Sequence, residues 1–148
     1  MTTKDEIVKT LNELAFVEAL VDKKIGELRE LAGGACEGLN SELGAPLRVS
    51  GASDAWTVVF GKRQMELLSF NCTYGNHGSS KRPVIASCAV KHAERTTTLW
   101  LVQSGPTAAA WEHESEPTPL RVDELHAMML EGAKTRAREI LGPPNGNS

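Results

Sequence analysis

Cys72, His77, Cys88 and His92 are of the types that hold zinc and fall within one short stretch of the chain. Thiolates and imidazoles bind zinc tetrahedrally, each donor about 2 Å from the ion. The spacing argues against such a site. Cys88 and His92 fall on one extended segment, and at about 3.3 Å of rise per residue they stand roughly 13 Å apart. Two small buried thiols and two surface histidines are the simpler reading, so neither a metal nor a cofactor is expected. Glu112, Glu114 and Glu116 would share a face of an extended chain around His113, and read as a charged loop. His126 reads as a boundary residue of a helix rather than a general base. The chain has no HExxH, GxSxG or GxGxxG. The run Gly75 to Lys81 does not have the spacing of a phosphate-binding GxxxxGK[ST], and Pro83 follows where that loop needs a helix N-terminus.

The segment from Tyr74 to Arg82 still has the makings of a binding loop. It joins an aromatic ring, the small residues Gly75, Gly78 and Ser79, His77, and the adjacent cations Lys81 and Arg82. Glycine and serine let backbone donors approach an anion, and the cations supply charge. Tyr74, His77, Lys81 and Arg82 are therefore candidates for holding an anion or an acidic partner, against the plainer reading of a solvated hairpin loop. Trp56, Trp100 and Trp111 all fall on predicted strands. They are expected to fill a core, with base stacking or a ligand cavity as the alternatives.

The elements that must position these residues follow from periodicity. Residues 3–32 read as one helix, with Thr3 and Glu6 as a capping box and Gly33-Gly34 as its stop. Within it Ile7, Leu11, Leu14, Val21, Ile25, Leu28 and Ala32 recur at alternating steps of four and three, and Glu18 is the one polar member of the series. This is a heptad seam, the pattern of one helix lying along another. Phe16, Val17, Ala19 and Leu20 add a second apolar surface, so the helix is expected to be covered on two sides. Strands are predicted at Leu47–Ser50, Trp56–Phe60, Gln64–Cys72, Val84–Lys91 and Thr96–Gln103, with a shorter one near Ala109–Glu114. Thr96–Gln103 is apolar on both faces and should lie inside the sheet. A second helix starts near Val122 with a stripe of Leu125, Met129, Ala133, Ala137 and Ile140, and stops at Gly142-Pro143-Pro144.

Hairpin follows hairpin, which excludes a parallel sheet with its long crossovers. The prediction is an α+β fold: a long N-terminal helix, an antiparallel sheet of five or six strands, and a long C-terminal helix packed on the sheet. Residues 1–142 are expected to form one domain and 143–148 a disordered tail.

The whole chain of 148 residues has a net charge of −3. Residues 1–44 carry 5 basic and 9 acidic side chains, residues 45–103 carry 7 and 3, and residues 104–148 carry 4 and 7. A basic middle between acidic ends favours phosphate contact, although no nucleic-acid motif accompanies it. No run approaches the roughly 20 apolar residues of a membrane span. Acids near the N-terminus and an odd count of three cysteines point to a cytoplasmic protein with reduced thiols. The favoured function is a non-enzymatic protein-interaction module that self-associates, as a dimer, through Ile7, Leu11, Leu14, Glu18, Val21, Ile25 and Leu28, with room for a second protein partner. The alternatives are a nucleic-acid or phosphate binder using loop 74–82 and the strand ends, and a small-molecule binder or enzyme with a cavity between sheet and helices.

Overall fold

The computed structural model describes residues 2–75 and 81–142; the predicted tail 143–148 lies outside them. The element order is α1 (Thr3–Asn40), β1 (Leu47–Gly51), β2 (Ala55–Phe60), β3 (Met65–Tyr74), β4 (Val84–His92), β5 (Arg95–Gly105), β6 (Ala108–His113) and α2 (Val122–Leu141). The six strands form one antiparallel sheet in sequence order. β5 is inside it, between β4 and β6, as its two apolar faces require.

α1 begins one residue earlier than the capping pattern suggests. The Thr2 hydroxyl accepts from the Asp5 amide at 3.1 Å, and the Asp5 carboxylate accepts from the Thr2 amide at 3.3 Å. The helix then runs through Gly33-Gly34 to Asn40, beyond the predicted end. Each helical glycine costs about 1 kcal/mol relative to alanine. Burial of Ala35 and Cys36 just beyond the pair offsets that cost.

Both helices pack on the face of the sheet that carries Trp56, Leu68, Phe70, Cys88, Leu99, Leu101 and Trp111. α1 brings Val21, Ile25, Leu28, Ala32 and Cys36, and α2 brings Leu125, Met128 and Met129. Trp56 stacks on Phe70 with centroids 5.1 Å apart. Trp111 donates from Nε1 to the Lys24 carbonyl at 2.8 Å, tying β6 to α1. His126 contacts the Ala35 carbonyl at 3.0 Å and ties α2 to α1.

The α2 stripe differs from the predicted one. Leu125, Met128, Met129 and Gly132 are buried, while Ala133, Ala137 and Ile140 are exposed. The reason is Gly132. A Cβ there would stand 2.3 Å from the Leu67 carbonyl oxygen, so the helix approaches β3 at its one residue without a side chain. That approach centres the buried face on an i, i+3, i+4, i+7 set.

Both outer strands have partners besides the sheet. On β1, the Asn40 side chain donates to the Leu47 carbonyl at 3.0 Å and accepts from the Leu47 amide at 2.8 Å, and Arg29 donates to the Gly51 and Ala52 carbonyls. On β6, the Leu120 amide reaches the Trp111 carbonyl and the His113 amide reaches the Thr118 carbonyl. No helix among the described residues is long and apolar enough to cross a membrane.

Candidate interaction surface

α1 spans 38 residues, roughly 57 Å at the rise of an α-helix. The sheet covers only part of that length. From Thr2 to Ala19 every residue is exposed except Val17, which is half-buried. The heptad seam therefore passes through two surroundings. Val21, Ile25 and Leu28, expected at an interface, instead belong to the core, because the protein's own sheet lies beneath them. Ile7, Leu11 and Leu14 continue the same face beyond the sheet and are 52%, 57% and 53% exposed. Glu18 stands exposed where the two regions meet.

A second apolar surface borders this stripe. Val8, Asn12, Phe16 and Val17 of α1 face Gln103 of β5 and Pro106 of the β5–β6 turn across an open cleft of about 660 Å³. Phe16 is 66% exposed. Sequence reasoning registered Phe16 as apolar, but nothing local signals that Gln103 and Pro106 would stand opposite it. That juxtaposition belongs to the tertiary fold.

The predicted anion loop is brought together only in part. Tyr74 and Lys81 are exposed, and His77 lies outside the described residues. Arg82 turns inward. Its guanidinium pairs with Glu112 at 3.2 Å, donates to the His113 and Glu114 carbonyls, and lies 4.7 Å from the Trp100 ring centroid. Arg82 and Glu112 thus tie the β3–β4 connection to β6. Trp100 sits on the outer sheet face, in a row with Thr73, Ser87 and Glu112. Trp56 and Trp111 are core residues, and the buried Trp56 Nε1–H meets no acceptor among the described residues.

The residues with metal-binding chemistry separate into unlike environments. Cys72 and Cys88 face each other across β3 and β4, in the core. Burial and Glu37 push the Cys36 thiol up from its ordinary value. The neighbouring Cys72 side chain, then burial, push the Cys88 thiol up as well. His92, expected at the surface, is buried at the end of β4. Its Nε2 lies 2.9 Å from Thr97 Oγ1, and its Nδ1 lies 3.4 Å from the Glu131 carboxylate, which also pairs with Arg95. His113 Nε2 is 2.7 Å from Glu124 but off the line of an aligned hydrogen bond, so the pair is ionic only when the ring is protonated. No group of three ligand-type residues that could hold a metal occurs among the described residues.

The cations of the middle segment divide between the two ends of the sheet. Lys62, Arg63, Lys91 and Arg95 lie at the β2–β3 and β4–β5 turns, and Lys81 and Arg82 at the opposite end. At the first end Glu66, Glu94 and Glu139 share a cleft of about 300 Å³ with Lys91 and Arg136. Neither this cleft nor the larger one is lined by a tryptophan. No protein-family model, curated protein or solved structure matches the chain.

Proposed function

We propose that this protein is a non-enzymatic interaction module that self-associates through the projecting half of α1, in a cytoplasmic setting. One observation carries the reading: the seam residues Ile7, Leu11 and Leu14 are more than half exposed, on the same helix face whose continuation is the core. A helix arm of this length on its own is marginal in water, and a second copy of the same arm supplies the missing cover. A two-fold pair is the commonest closed assembly and uses one patch twice.

The charges favour an antiparallel pair. When two arms cross at Leu11, residues equally distant on either side stand at the same level. Lys4 of one copy then meets Glu18 of the other, and both belong to the seam's own period. Both side chains are exposed. A parallel pair would set Glu18 on Glu18. The sheet edges are poorer candidates, since side chains and the 118–120 segment already occupy edge groups.

Light scattering at tens of micromolar tests the reading. The expected mass is twice the 16.0 kDa of the chain, and Leu11→Asp should return it to the monomer with an unchanged circular dichroism spectrum. The antiparallel sense has its own check. Lys4→Glu or Glu18→Lys alone should weaken association by roughly threefold to tenfold, and the double reversal should restore it. A wild-type chain that stays monomeric sinks the proposal.

A further inference from the structure

The core holds two thiols whose backbone register is that of a disulfide not yet made. Cys72 on β3 and Cys88 on β4 are directly opposed. The type of pair follows from a third strand. The Cys72 amide donates to the Asp54 carbonyl at 2.8 Å, on the β2 side. In an antiparallel strand the N–H and C=O of one residue point the same way, so Cys72 directs neither towards β4. Cys72 and Cys88 are thus a non-hydrogen-bonded pair, the closer of the two kinds, with Cα atoms about 4.5 Å apart. Disulfides span Cα separations of about 4.4–6.8 Å. Directly opposed residues also project from the same face of a sheet, and both thiols lie in the core. No strand would have to move for the sulfurs to join. Cys36 sits on α1 and has no opposed cysteine.

We propose that Cys72 and Cys88 are a reversible oxidation site that takes a low-molecular-weight disulfide as its oxidant. The order of events follows from access. Cys72 is 8% exposed and Cys88 is 0% exposed, so Cys72 meets the reagent. Its thiolate attacks one sulfur of the reagent, forming a mixed disulfide and expelling one thiolate. Cys88 then loses its proton and attacks the Cys72 sulfur, forming the internal bond and expelling the second thiolate. Two protein thiols become one disulfide, and one reagent disulfide becomes two thiols. Burial, which keeps the Cys88 thiol away from water, makes the second step the slow one. The product joins the two middle strands of the sheet. A dithiol reductant reverses it.

The wild-type chain suffices for the test. Folded protein is incubated with oxidised glutathione, quenched by alkylation, and its remaining thiols are counted in denaturant while linked peptides are mapped. The count is expected to fall from three to one, with residue 72 linked to residue 88, and dithiothreitol is expected to restore three. Cys36→Ser should fall from two to none. Cys88→Ser should stop at a glutathione adduct on Cys72. Retention of all three thiols, a bond that includes Cys36, or a stable wild-type adduct without an internal bond overturns the proposal. So does a bond that forms only after the chain is unfolded.

Discussion

Gly132 has the least room of the described glycines. Gly132→Ala drives a methyl group into the Leu67 carbonyl, and overpacking of that kind typically costs about 1–3 kcal/mol. Urea denaturation should show the loss even though alanine is the better helix former. Asn40 stands at the opposite extreme, where the side chain supplies what the backbone lacks. Asn40→Ala leaves the Leu47 amide and carbonyl without their partner and should cost about 1–3 kcal/mol by the same measurement. The buried thiols make a prediction in pH. Cys36 and Cys88 are held above their ordinary values in the folded state, while unfolded cysteine ionises near pH 8.5. Their stabilising effect is fully present below that pH and is lost as the pH rises beyond it, because only the unfolded chain gives up protons there. Thermal unfolding from pH 7 to 10 should therefore show a shallower alkaline decline in Cys36→Ala than in the wild type. Little of this was legible in the residues themselves. Nothing beside Gly132 in the chain points to Leu67, and nothing beside His92 points to Glu131, because both relations join segments far apart in sequence.

Elements were far more legible, since they are local. The hairpins announced themselves through turn residues between β-branched runs, and the helix at each end through its apolar period. The errors came where tertiary burial outweighed a local signal. Gly33-Gly34 stops an isolated helix, yet α1 continues because Ala35 and Cys36 have a core to enter. The heptad spacing marks one face along α1 but cannot reveal where the sheet ends beneath it. That boundary predicts a contrast within one helix. Leu28→Ala should cost about 2–5 kcal/mol of folding stability, as truncations in a packed core do. Leu11→Ala should change monomer stability by less than about 0.5 kcal/mol while weakening self-association. Denaturation at low protein concentration, beside a dilution series, separates the two effects.

For the molecule as a whole, association and folding are linked. If the arms pair, mass action makes the unfolding midpoint rise with protein concentration. Leu11→Asp should abolish that dependence, and amide exchange in residues 3–17 should become fast in the same variant. The α+β architecture was readable from the order of segments. The cleft between Phe16 and Pro106 was not, because it joins the first helix to a turn that the chain reaches much later.

The sequential strand order has a consequence for how the chain is made. Every strand pairs with the one just before it, so the sheet can zip up hairpin by hairpin as it leaves the ribosome, with few distant encounters to wait for. α1 is fastened in two stages. Asn40 and Arg29 tie its C-terminal part to β1, the next element made, whereas Trp111 at Lys24 and His126 at Ala35 arrive only with β6 and α2. Val21 and Ile25, which flank Lys24, must therefore wait for full cover until β6 is made. A helix made before its sheet thus keeps part of its bed waiting, and a nascent chain released before Trp111 should expose this greasy strip to any chaperone within reach.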